Sequence, residues 1–207
     1  MVKVKICGIT NLEDAKAVVN AGCDALGFVF YKRSPRYITP AKAAEIIKKI
    51  PGKALKIGVF VNAKETTIRN TAKKCGLDML QLHGRESPQF CRKLKGYKII
   101  KAFRIKDRIS LKNILKYNTF AYLFDTFVNF KAGGTGRSFN WRLIRHIDGI
   151  KQPVFLSGGL TESNVKKAIT IVRPEWVDVS SSLELALGKK DHKKVRKFIK
   201  AVKKSEV

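Results

Sequence analysis

Lys3-Val4-Lys5-Ile6-Cys7-Gly8-Ile9-Thr10 is the stretch whose reading decides the fold. Val2, Val4 and Ile6 alternate with Lys3, Lys5 and Cys7, a period of two that reads as a strand. Gly8 breaks it, and Thr10 or Asn11 can then cap a helix whose first turn carries Glu13 and Asp14. The product is a βα unit with a thiol at the carboxyl end of its strand, where α/β barrels carry their chemistry. By itself Cys7 reads more readily as a small buried hydrophobe.

Outward from that unit the pattern repeats. Strand-like runs fall at 2–7, 25–30, 55–61, 79–82, 98–103, 120–124, 154–156 and 176–179. Helical patterns lie between and after them at 12–21, 40–50, 64–74, 87–94, 110–117, 141–147, 161–171 and 191–204. Thr39-Pro40 and Ser87-Pro88 each set a cap before a proline in the first turn, while Gly22, Gly76 and Gly96 stand where helices end. Strict alternation predicts a parallel sheet with crossover helices. Eight of each fit a single-domain α/β chain over 1–207, a (βα)8 TIM barrel, with an open doubly wound sheet as the alternative.

Composition narrows the class of function. The apolar fraction of 44% is ordinary for a globular chain, and no run approaches a membrane span. With no signal-peptide pattern at Met1, the expected location is the cytoplasm. The 4 cysteines form no C-x-x-C pair and the 3 histidines no zinc signature, so neither a metal nor any other cofactor is expected. A net charge of +27 suits an anionic partner. Its densest stretch, 189–204, also carries Val195, Phe198, Ile199 and Val202 on one helical stripe, so the lysines take the solvated face. Nucleic acid is therefore the minor reading, and a small anionic substrate the major one.

The carboxyl ends of the strands collect polar and small residues: Cys7; Ser34-Pro35-Arg36; Gln81-Leu82-His83-Gly84; Asp125, followed by Gly133-Gly134-Thr135-Gly136; Ser157-Gly158-Gly159-Leu160; and Ser180-Ser181-Ser182. Ser157-Gly158-Gly159 before a helix reads as a phosphate cradle, since backbone N–H groups can approach an anion there. Its place after the seventh strand, with hydroxyls after the eighth, is where barrels often bind phosphate.

In that order, with Lys5-Ile6-Cys7-Gly8-Ile9-Thr10, Gly27-Phe28-Val29-Phe30, Phe139, Trp141 and Val177-Asp178-Val179-Ser180-Ser181, the chain resembles the phosphoribosylanthranilate isomerase family along its whole length. The resemblance implies an Amadori rearrangement in tryptophan biosynthesis, with Asp125 as acid and Cys7 as base. It further implies Arg36 at the anthranilate carboxylate, Gln81 and His83 as substrate-binding groups, and the phosphate held around Gly158, Gly159, Ser181 and Ser182. The partner is then a phosphorylated, carboxylated small molecule, and a homodimer is compatible. Rival readings are another sugar-phosphate barrel enzyme and a basic nucleic-acid-binding protein.

Three finer expectations follow. Burial is expected to raise Asp125 toward the range of a useful acid. Lys5, about 6–7 Å from Cys7 along the strand, would favour a thiolate unless Asp178 takes it as an ion-pair partner first. Where the family usually continues Ser-Ser-Gly-Val-Glu, this chain has Ser182-Leu183-Glu184. Ser182 should accordingly sit at negative φ and offer its hydroxyl to the phosphate as an extra donor.

Overall fold

The alternation read at Val4 and Ile6 runs through eight parallel strands: β1 (Lys3–Cys7), β2 (Ala25–Val29), β3 (Leu55–Phe60), β4 (Met79–Leu82), β5 (Lys98–Ile105), β6 (Ala121–Thr126), β7 (Val154–Ser157) and β8 (Trp176–Val179). They pair in chain order, and β8 returns to β1 through Lys5 opposite Asp178, which closes the barrel. The structure, a computed structural model, describes residues 1–50, 52, 54–105, 110–126, 141 and 150–206. The Gly133–Gly136 motif, Phe139 and the helix expected over 141–147, Trp141 apart, lie outside the described residues.

Seven α-helices are described: α1 (Leu12–Asn20), α2 (Pro40–Lys48), α3 (Glu65–Cys75), α4 (Pro88–Lys93), α5 (Leu111–Ile114), α6 (Val165–Val172) and α7 (His192–Lys203). The caps use the chemistry read in the sequence. Asn11, Thr39 and Ser87 accept from the N–H groups of Asp14, Lys42 and Phe90, and Gly76 closes α3 in the left-handed conformation. After β8 comes a short 3-10 turn, Ser181–Leu183, and then a small antiparallel hairpin, β9 (Glu184–Ala186) with β10 (Lys189–Lys190). The sequence reading did not anticipate that hairpin. Three residues in one strand and two in the other are too few to show a period.

Strand parity decides which side chains meet. Val4, Ile6, Leu26, Phe28, Leu80, Leu82, Tyr122, Phe124, Leu156 and Val177 face outward and pack under the helices. The opposite parity fills the barrel with Ala25, Ile57, Met79, Ile100, Ala102, Leu123, Phe155 and Trp176, the last two stacked with ring centroids 4.8 Å apart. Each large side chain so buried contributes roughly 1.5–3 kcal/mol. Two residues further along the same inward parity are Cys7 beyond Lys5, Gln81 beyond Met79, Asp125 beyond Leu123, Ser157 beyond Phe155 and Asp178 beyond Trp176. The core thus turns polar at the carboxyl end of the strands by counting alone.

Candidate active site

At that end lies a cavity of about 370 Å³. It is lined by Cys7, Arg36, Gln81, His83, Asp125, Gly158, Gly159, Ser181 and Ser182, so all nine residues assigned a role from the sequence meet in one place, with Ser157 beside them.

Cys7 sits over a buried ion pair. Lys5 Nζ lies 2.8 Å from Asp178 Oδ1, with the Lys5 side chain fully enclosed. Burial works against the Lys5 ammonium, but Asp178 and Cys7 more than restore it, and it stays charged. Lys5 is thus an ion-pair partner before it is anything else. The thiol does not benefit as a neighbouring lysine would suggest. Burial pushes Cys7 up, Asp178 adds to that, and the cations Lys5 and Lys190 offset only part of it. At neutral pH Cys7 is a thiol.

Across the barrel, the Gln81 amide nitrogen lies 2.8 Å from His83 Nδ1, and His83 Nε2 lies 3.2 Å from Asp125 Oδ2. An amide NH2 can only donate, so Nδ1 accepts and the proton of a neutral His83 is on Nε2, aimed at Asp125. Asp125 keeps a quarter of its side chain exposed, rather than sinking into the apolar site the sequence suggested. Beneath this chain the loop carrying His83 is pinned by a second buried pair. Lys101 Nζ is 2.8 Å from Glu86, whose carboxylate also accepts from the N–H groups of Asn62 and Gly84.

The turn after β7 is tight because Gly158 and Gly159 both have positive φ, at 96° and 62°, a pair that residues with a Cβ adopt only under strain. Asn164 holds it, donating to Gly159 O at 2.9 Å. The helix behind it begins only at Val165, so the turn itself, rather than a helix N-terminus directly behind Gly159, faces the cavity. Ser182 does sit at negative φ, since the positive-φ non-glycine residues described are Asn62 and Arg173. Its hydroxyl, however, donates to Leu160 O at 2.5 Å, tying the turn after β8 to the loop after β7. A hydroxyl has one proton, so this one is not an extra donor for an anion in the cavity.

Arg36 reaches the cavity from the loop after β2. Its stem lies over Gly8, where a Cβ would come within 2.5 Å of Arg36 Cδ, so no side chain fits at that glycine. One edge of the guanidinium is already engaged: Nε and Nη2 donate to the two oxygens of Glu184 at 2.7 and 2.6 Å.

The comparisons with known proteins converge. A family model described as N-(5'phosphoribosyl)anthranilate (PRA) isomerase matches residues 4–201. The chain belongs to the phosphoribosylanthranilate isomerase family. It is 50% identical over 203 residues to the isomerase of Pelobacter propionicus, covering 98% of this chain and 96% of that one. The crystal structure of the Thermotoga maritima phosphoribosylanthranilate isomerase superposes with a TM-score of 0.92 at 44% identity, over 99% of this chain and 100% of that one. A family structure in complex with reduced 1-(o-carboxyphenylamino)-1-deoxyribulose 5-phosphate superposes at 0.84, with 41% identity and coverage of 99% and 100%.

As a phosphoribosylanthranilate isomerase, the chain is an enzyme of tryptophan biosynthesis on a (βα)8 barrel. Among the described residues no helix is long and apolar enough to cross a membrane, and no His, Cys, Asp or Glu group could hold a metal. Sequence reasoning missed the part played by Glu184, Lys190 and Ser180. Parity would have placed Ser180, two beyond Asp178, on the inward face. Nothing local marks a glutamate as the partner of an arginine 148 residues away.

Proposed function

We propose that this isomerase converts N-(5-phosphoribosyl)anthranilate to 1-(2-carboxyphenylamino)-1-deoxyribulose 5-phosphate, with Asp125 as general acid and Cys7 as general base. Asp125 protonates the ribose ring oxygen as its bond to C1 breaks, and the nitrogen lone pair closes the C1 iminium. Cys7 then takes the proton from C2, and the electron pair of that C–H bond neutralises the iminium to an enolamine. Tautomerisation of the enolamine yields the ketone. The observation that carries this reading is the placement of one acid and one thiol at the ends of β6 and β1, lining a single cavity.

The neighbours suit those roles. His83 donates to Oδ2 of Asp125, which leaves Oδ1 to carry and deliver the proton. Gln81, 1% exposed and bonded to His83, orients that ring, a part distinct from the direct substrate contact inferred for it from the sequence. The second edge of Arg36, Nη1 with the remaining Nη2 hydrogen, is a fork of the shape a carboxylate accepts. The turns at Gly158–Gly159 and Ser181–Ser182 receive the phosphate through the main chain. Turnover by the purified chain, read as loss of the fluorescence of the ribosylated anthranilate, tests the activity directly. No loss above the uncatalysed rate sinks it.

A further inference from the structure

The hairpin that follows β8 is fastened more heavily than a surface hairpin needs. Glu184, at its start, holds Arg36 through both carboxylate oxygens and also receives Lys190 Nζ at 2.9 Å. Lys190, at its end, has no exposed side-chain surface and donates again to Ser180 O at 3.2 Å. Ser180 Oγ in turn donates to Cys7 O at 2.9 Å. The hairpin ends are pinned elsewhere as well: Lys190 N–H donates to Asp14 Oδ2 and Asp191 N–H to Leu183 O, both at 2.8 Å, and Thr10 donates to Gly188 O at 2.5 Å. Burying an ammonium and a carboxylate together costs desolvation, and an apolar pair of that size is often no less stable. The pair therefore calls for a reason other than stability.

We propose that Glu184 and Lys190 are positioning residues that fix the separation between two anion-binding points, the Arg36 guanidinium and the turn at Ser180–Ser182, and so select substrates bearing both a carboxylate and a phosphate. The proposal rests on Arg36 being the carboxylate partner. Two physical features support it. Glu184 occupies the Nε–Nη2 edge of Arg36, which leaves one orientation for the remaining fork. Its negative charge alone would cancel that of Arg36; Lys190 restores a net positive cluster without lining the cavity. The span from Arg36 through Glu184 and Lys190 to Ser180 is a continuous chain of charge-assisted bonds, so neither anion point shifts without the other.

The test compares inhibition by two ligands, the reduced carboxyphenylamino product analogue and the same molecule lacking the carboxylate. Glu184→Gln makes the local charge more positive but loses the two-point grip. A role through charge alone therefore tightens the carboxylated ligand, whereas positioning weakens it. We expect about tenfold weaker binding of the carboxylated analogue, less than threefold for the carboxylate-free one, and a higher KM with kcat little changed, in line with the range for a charge-assisted bond. Lys190→Met should act in the same direction. Should it fail to fold, Glu184→Gln decides alone. Tighter, unchanged or equally weakened binding of both ligands overturns the proposal. Arg36→Met separates the two readings. If it discriminates between the ligands and Glu184→Gln does not, only the positioning role fails; if Arg36→Met does not discriminate either, the carboxylate assignment itself is wrong.

Discussion

On the β1–β8 side of the cavity, Cys7 stands on an enclosed ion pair, Lys5 with Asp178, at 0% and 6% side-chain exposure. On the β4–β6 side, His83 and Asp125 are 17% and 25% exposed and joined by a 3.2 Å contact. Both sides use inward parity at strand ends, yet they differ in how far they are enclosed. Deep burial keeps the thiol protonated, whereas the open side leaves Asp125 a quarter exposed beside the His83 ring. As the proposed base, Cys7 would start far from its working form, and its ionisation should then govern the rate.

The largest expected effects remove either group. Cys7→Ala and Asp125→Asn should each lower kcat on the order of 10²–10⁴-fold with folding intact. Wild-type-like turnover in either folded variant removes that residue from the mechanism. The contrast also carries a pH signature. As the proposed base Cys7 would act deprotonated, and its pKa is raised by burial, so the thiolate fraction rises about tenfold per pH unit up to a value above the ordinary thiol range near 8.5. The rate at low substrate should still be climbing as pH passes that range. A plateau reached by pH 7 would mean the thiol is not held up, or is not the base.

Next in size is the enclosed pair itself. Asp178→Asn leaves the Lys5 ammonium buried without its partner and should destabilise the fold by about 3–5 kcal/mol. Replacing both, as Lys5→Met with Asp178→Leu, should recover most of that loss. Urea denaturation of the three proteins measures it. A single variant as stable as wild type would mean water reaches Lys5 and the two sides of the cavity differ less than their burial indicates.

Much of this contrast was legible in the chain and some of it was not. Period two at Val4 and Ile6 places Lys5 and Cys7 inward, and Asp178 follows as the likewise inward residue on the adjoining strand. The direction of the Cys7 shift was not legible, because burial depends on what packs over the thiol and not on its strand neighbours. The bond from Ser182 to Leu160, the late start of α6 and the grip of Glu184 on Arg36 all join segments distant in sequence. A pattern local to one element carries no trace of them.

Arg36→Met ranks third. Losing a hydrogen-bonded charge should weaken carboxylate-bearing ligands by about 1.5–3 kcal/mol and leave carboxylate-free ones near wild type. Inhibition constants for the two ligand types give the answer. Arg36 belongs to the enclosed side through Glu184, so an equal loss for both ligands would mean it supports the wall of the cavity rather than the substrate.

The smallest effect concerns Ser182, where the turn after β8 meets the loop after β7. Its hydroxyl proton goes to Leu160 O, so alanine removes a neutral bond between two loops and not a contact to the ligand. The expected loss in phosphate affinity is therefore indirect, at about 0.5–1.5 kcal/mol at most, the range for a neutral hydrogen bond. Glycine should lose the same bond and, with a freer backbone to order, bind slightly more weakly than alanine. Inhibition by inorganic phosphate across wild type, Ser182→Ala and Ser182→Gly measures the series. Losses of about 3 kcal/mol on removing the hydroxyl alone would exceed a loop brace and imply that the group turns from Leu160 to the anion when phosphate binds. Tighter binding with glycine would mean that the serine Cβ obstructs the approach of the anion, and the brace would then be incidental to the site.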